Sequence, residues 1–145
     1  MAKLQFDKGS WTPVHLGDVV SEVRNTVKNG EKENIELYVG LEHIDPENIH
    51  ISKWGFVKDG TTFTRKFEKG QILFGRRRAY LKKAGLATFT GLCSGDIIVM
   101  EGKEKLLPEL LPFLINNDDF FDFAVDTSAG SLSPRTKFKY LAEYE

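Results

Sequence analysis

Apolar and polar positions alternate most cleanly at "IELYVGLEHI" (35–44), where Ile35, Leu37, Val39 and Leu41 fall on one side and Glu36, Tyr38, Gly40 and Glu42 on the other. A period of two predicts a strand with one buried face. "DPEN" (45–48) closes it as a turn. Upstream, Leu16, Val19, Val20 and Val23 of "WTPVHLGDVVSEVR" fall at i, i+3, i+4 and i+7, which predicts a short helix over 16–24. "KNGEKEN" (28–34) between the two is a polar loop. "TTFTRKF" (61–67) and "QILFGR" (71–76) predict two strands joined as a hairpin by "EKG" (68–70), with Gly70 available for a positive φ. Further short strands are expected at 86–90 and 96–101, with Gly91 and Gly95 as breaks.

Past Lys105 the pattern changes to "LLPELLPFLINNDDFFDFAV" (106–125), apolar with helical spacing. A helix is expected to start at Pro108 or Pro112, since proline is tolerated in a first turn. Asp118 is expected to cap a second helix that buries Phe120, Phe123 and Ala124. "DTSAGSLSPRTK" (126–137) reads as a polar loop. The expected fold is α+β: a single compact domain over 1–145, with a β-rich, mostly antiparallel, hairpin-containing centre and short helices near both ends.

Composition refines this picture little. The 145 residues include eleven Phe, enough large apolar area for a self-sufficient core. Cys93 is the one cysteine, so no disulfide forms within the chain, which fits a reducing setting. The N-terminal "MAKLQFDKGSW" lacks the apolar segment of a signal peptide, and no apolar run approaches a membrane span. A cytoplasmic protein is expected.

Charge changes the picture more. Lys and Arg number 20 against 21 Asp and Glu, yet the cations are gathered. From Arg65 to Lys83 eight cations face the single anion Glu68, whereas 101–126 holds two cations and seven anions. Such asymmetry points to a local polyanion contact. Its densest part is "GRRRAYLKK" (75–83). Arg76, Arg77 and Arg78 offer planar forks that match phosphate oxygens or the guanine edge. Lys82 and Lys83 offer compact charges for phosphates, and Tyr80 adds an aromatic plane for sugar or base. On a continuing strand Arg76 and Arg78 share a face, leaving Arg77 for an acidic partner such as 101–126. A second basic element, "SAGSLSPRTKFK" (128–139), carries Arg135, Lys137 and Lys139 beside the hydroxyls of Ser131 and Ser133, all donors to phosphate. The alternative for both elements is a solvated basic surface paired with the chain's own acids.

Catalytic patterns are missing from the sequence. There is no GxxxxGK[ST], GxGxxG, HExxH or CxxC. Cys93 in "GLCSGDIIVM" reads as a small buried residue beside a strand rather than a nucleophile, and His15, His43 and His50 have no ligand spacing.

Four blocks, in order, resemble the target-recognition domain of type I restriction–modification specificity (S) subunits: "WTPVHLGDVVSEV", "YVGLEHIDPENI", "FEKGQILFGRRRAYLKKAGLATFTGLCSGDIIVMEGK" and "FFDFAVDTSAGSLSPRTKFKYL". The resemblance covers nearly the whole chain, and the third block is its most specific part. It implies a non-catalytic domain that reads one half of a bipartite site on double-stranded DNA. It implies methyltransferase (M) and restriction (R) subunits as partners, with S-adenosylmethionine, ATP and Mg²⁺ held by those subunits and no cofactor by this chain. The sequence departs from the family pattern in ending at "LAEYE", before the spacer helices that form a coiled coil. A fragment, or a half-size specificity protein that self-associates, is therefore expected. A protein-interaction module that tethers a methyltransferase or another acidic partner without reading bases is the alternative. The expected DNA contacts are Arg76, Arg77, Arg78, Tyr80, Lys82, Lys83, Ser131, Ser133, Arg135, Lys137 and Lys139.

Overall fold

A computed structural model describes residues 14–29, 33–104, 106, 108–130 and 134–144. The chain order is α1 (Leu16–Val19), β1 (Val20–Val23), β2 (Asn25–Thr26), β3 (Leu37–Val39), β4 (Gly55–Phe56), β5 (Arg65–Phe67), β6 (Ile72–Gly75), β7 (Ala84–Leu86), β8 (Gly91–Cys93), β9 (Ile97–Gly102), α2 (Leu111–Ile115), α3 (Asp118–Asp126) and α4 (Phe138–Leu141), with short 3₁₀ turns between some of them. The strands form two sheets, one ordered β1-β9-β6-β7 and the other β2-β5-β8-β3-β4. All pairings are antiparallel except β3 with β8. The expected α+β architecture is borne out.

The apolar runs decide the layering. Along β6 and β9 the side chains alternate between two cores. Ile72, Phe74, Ile98 and Met100 face a core completed by Leu111, Ile115, Phe120, Phe121 and Ala124 of the helices. Leu73, Ile97 and Val99 face a second core shared with Val39, Phe67 and Cys93 of the other sheet. A strand covered on both faces has no polar side, so "ILF" and "IIVM" run apolar without a break. Each fully buried large side chain contributes roughly 1.5–3 kcal/mol by leaving water. The central sheet is thus a layer packed between the helices and the second sheet.

Four local expectations are corrected. The helix expected over 16–24 ends at Val19, and Val20–Val23 is a strand paired with β9, Val20 opposite Gly102 and Val23 opposite Val99. Valines are stiff in helices and fit a pleated surface, and the backbone partner on β9 decides between the two. The strand expected over 35–44 is confined to Leu37–Val39, because the chain turns into a 3₁₀ helix at Leu41–His43, where the Gly40 amide donates to His43 Nδ1 at 2.9 Å.

The hairpin expected between 61–67 and 71–76 does not form: β5 pairs with β2 and β8, while β6 pairs with β7 and β9. Residues 68–70 instead carry the chain from one sheet to the other, with Gly70 at φ 94°. Asn117, not Asp118, caps α3, its Oδ1 accepting from the Phe120 amide at 2.9 Å. Pro112 does lie in the first turn of α2. β8 was not expected at all, since "GLC" has no strand pattern of its own. Its strand character comes from β3 and β5 on either side.

Candidate nucleic-acid interface

The basic run closes the hairpin of β6 and β7, which pair from Ile72 opposite Leu86 to Phe74 opposite Ala84. Beyond the last pair the Gly75 amide donates to the Lys83 carbonyl at 2.8 Å, so residues 76–82 form the tip. The strand does not continue through the arginines. Arg78 (φ 53°) and Lys82 (φ 56°) adopt left-handed backbone and bracket a 3₁₀ turn over Ala79–Leu81. Arg76 and Arg78 therefore do not share a strand face.

The second basic element lies directly alongside. The Thr136 amide donates to the Arg76 carbonyl at 3.0 Å, and the Arg78 amide donates to the Pro134 carbonyl at 2.7 Å. Arg77 and Arg135 sit opposite each other as an antiparallel bridge, and Arg135 is bridged in turn to Ala129. Thr136 is wholly buried, its Oγ1 2.8 Å from Thr127 Oγ1 at the end of α3. The 134–136 segment thus adds to the hairpin tip as a short extra strand, and residues far apart in sequence form one surface.

Asp96 binds this surface together. It sits in the tight turn before β9, with its amide donating to Ser94 Oγ at 3.0 Å. Its carboxylate accepts from Arg135 Nε at 2.6 Å and lies 3.7 Å from Arg77 Nη1 and 4.0 Å from Arg76 Nη2. Burial alone would raise its pKa, but the Arg135 hydrogen bond and the charges of Arg135, Arg76 and Arg77 outweigh burial and hold it below the usual carboxylate value. Arg76 is anchored further, with Nε donating to the Gly95 carbonyl at 3.0 Å and Nη1 to the Thr136 carbonyl at 3.2 Å. The acid expected to serve Arg77 therefore comes from the β8–β9 turn rather than from 101–126. Asp96 was missed because one acid in a short turn carries no signal until the arginines around it are located.

The lysines of the run are engaged differently. Lys82 Nζ lies 2.8 Å from Asp118 Oδ1 on α3 and 3.5 Å from Glu47 Oε1, and the Asp118 hydrogen bond leads in raising its pKa. Lys83 Nζ donates to the Leu41 carbonyl at 2.8 Å. Tyr80 is 53% exposed. Arg78, Arg135, Lys137 and Lys139 are exposed, with the Lys139 ammonium 4.9 Å from the centre of the Tyr140 ring. Ser131 and Ser133 lie outside the described residues.

Other chemistry is limited. Burial pushes the Cys93 thiol up to about 12, against a smaller opposing effect of Arg65, so the thiolate that a nucleophile needs is not formed near neutral pH. Among the described residues no three His, Cys, Asp or Glu side chains converge as a metal site, and no helix is long and apolar enough to cross a membrane.

No protein-family model matches the chain. Over 115 residues it is 30% identical to the type I restriction enzyme EcoDI specificity subunit of Escherichia coli, a match covering 73% of this chain and 25% of that protein. Its fold aligns with the crystal structure of the HsdS subunit from Thermoanaerobacter tengcongensis at a TM-score of 0.68 and 20% identity, over 94% of this chain and 38% of the other. A second solved structure, reported for complex assembly and conformational transition of a type I R-M system, aligns at 0.65 and 20% identity, over 90% and 38%. These comparisons make the chain similar to part of type I restriction–modification specificity subunits. The expected resemblance to these subunits is borne out. It spans about a quarter of the length of the curated relative.

Proposed function

We propose that this chain reads one half of a bipartite target on double-stranded DNA, as part of the specificity subunit of a type I restriction–modification system. The observation that carries this reading is the joining of the hairpin tip and the 134–136 segment, by backbone hydrogen bonds, into one basic surface. In this reading Arg78 and Arg135 reach base edges with Tyr80 braced beside them. Arg76 and Arg77 share their guanidinium groups between Asp96 and the duplex. Lys137 and Lys139 neutralise phosphates, and Ser131 and Ser133 donate to the backbone. Lys82 and Lys83 add charge to the field while holding the tip in place. Each bidentate arginine–guanine pair supplies roughly 1–3 kcal/mol of base discrimination.

Methyltransferase and restriction subunits of the cytoplasmic complex carry the chemistry, with S-adenosylmethionine, ATP and Mg²⁺ bound there. A second reading, a module that tethers a methyltransferase without reading bases, is favoured by one observation. Phe113 is 65% exposed, and Leu110 and Leu114 beside it are exposed as well. That apolar face suits a protein partner.

The test is selection of bound duplexes from a random pool at two salt concentrations. The DNA-reading function predicts an enriched half-site and affinity that falls steeply with salt. A pool that stays random, together with no shift of any duplex, leaves only the tethering module.

A further inference from the structure

Next to the basic surface, where the ends of both sheets meet the start of α4, lies a cavity of about 300 Å³ lined by Glu22, Arg24, Arg65, Arg76, Ile98, Lys137 and Phe138. Four cations face one carboxylate. That carboxylate is already engaged, since Glu22 Oε1 accepts from Arg24 Nε at 2.8 Å and the Glu22 side chain is 13% exposed. Arg65 directs Nη1 to the Ile97 carbonyl at 3.1 Å, leaving its other guanidinium N–H groups for a further acceptor. Arg76 directs Nε and Nη1 to backbone carbonyls, and its Nη2 is 4.0 Å from Asp96. Among the described residues the Lys137 ammonium has no hydrogen bond or ion pair. Asp96 is already shared with Arg77 and Arg135.

The cluster is therefore short of negative charge. Burial, with Arg135 and Arg65 pushing the same way, lowers the Arg76 pKa despite Asp96 and Glu22. Its walls are rigid. Arg65 is fixed opposite Cys93 in one sheet, and Arg76 follows directly on β6 of the other. Ile98 and Phe138 add apolar lining to one side of this open cleft. Two arginine forks and two further cations around one small cavity suit a tetrahedral dianion.

We propose that this pocket is a phosphate-binding site, with Arg24, Arg65, Arg76 and Lys137 as donors. Arg24 and Arg65 have no part in the base-reading surface. The phosphate comes either from the backbone of a duplex docked on the adjoining surface, which rests on the DNA-reading function, or from a free phosphate or diphosphate.

The probe is inorganic pyrophosphate, titrated calorimetrically into DNA-free protein at low salt. Binding is expected, weakened about tenfold by Arg65→Gln and by Lys137→Ala, each of which removes a charged hydrogen bond. Glu22→Gln is expected to tighten it, an effect a merely structural role does not produce. Lys137 is exposed, so its variant remains informative should Arg65→Gln fail to fold. Pyrophosphate displaced by duplex DNA, with the salt slope of duplex binding reduced by about one unit in Arg65→Gln, assigns the phosphate to the backbone. Pyrophosphate binding that duplex does not displace assigns it to a free anion and still supports the pocket. No pyrophosphate binding, or binding indifferent to both Arg65→Gln and Lys137→Ala, overturns the proposal whatever the duplex experiments show. Duplex binding that fails while pyrophosphate binds defeats the DNA reading alone.

Discussion

The two halves of the basic run carry similar charge and do different work. The arginine half, Arg76–Arg78, is built against a second loop and a shared buried-side anion, Asp96. The lysine half, Lys82–Lys83, reaches across to α3, Glu47 and the Leu41 carbonyl and pins the hairpin tip to its surroundings. A guanidinium has five donors, so an arginine can hold Asp96 or a carbonyl and still present N–H groups outward. An ammonium is a compact point charge, and two acidic partners take up much of its attraction for anything else. The comparison teaches that charge density in sequence does not by itself locate a binding surface. What distinguishes the two halves is the number of donors left after internal partners are served.

Asp96→Asn removes the anion that three arginines share, and is expected to destabilise the fold by about 2 kcal/mol at neutral pH, read as a shift of the urea midpoint. The pH dependence has a definite sign. The folded pKa of Asp96 is depressed, so its contribution is full above the ordinary carboxylate value near 3.9 and is lost as pH falls through the folded value. Wild type and Asp96→Asn should therefore converge in stability on acidification below about pH 4. A gap that persisted there would show that the carboxylate charge is not what holds the arginines.

Arg78→Gly comes next. Glycine accepts the left-handed backbone at φ 53° more readily than arginine does. Relief of that backbone and the extra unfolded-chain entropy of glycine oppose each other, so the variant should stay within about 1 kcal/mol of wild type while losing roughly tenfold discrimination at one base position. Unchanged base preference in a duplex selection would remove Arg78 from the reading surface.

Asn117→Ala strikes the lysine half without touching a charge. It deletes the α3 cap, at a cost of about 1 kcal/mol, and frees the turn that presents Asp118 to Lys82. The loss should show first as faster amide exchange in the first turn of α3. The smallest effect is expected for Lys82→Ala. Its partners are exposed, and duplex affinity should stay within about twofold of wild type, against a clear loss and a salt slope lowered by about one unit for Lys137→Ala. If Lys82→Ala weakened DNA as much as Lys137→Ala, the contrast between the two halves would fail.

Much of this was legible in the order of residues. The strands expected at 71–76 and 96–101 formed at Ile72–Gly75 and Ile97–Gly102. Both basic elements stood out by charge, and Gly70, Pro112 and the turn at 45–48 behaved as their chemistry dictates. What failed were choices that local pattern leaves open. Leu16, Val19, Val20 and Val23 satisfy a helical period, yet the backbone hydrogen bonds of β9 claim Val20–Val23 as a strand. Residues 61–67 and 71–76 look like a hairpin, yet each finds its partner elsewhere.

By itself the sequence determined which segments are apolar enough to be buried and where positive charge accumulates, because burial and charge are properties of side chains. Only the tertiary structure decided which strand pairs with which, that Asp96 stands among three arginines, and that Arg24, Arg65, Arg76 and Lys137 surround one cavity. Those are distances between residues dozens of positions apart. They follow from how two sheets and the helices pack, and a linear pattern holds no record of them.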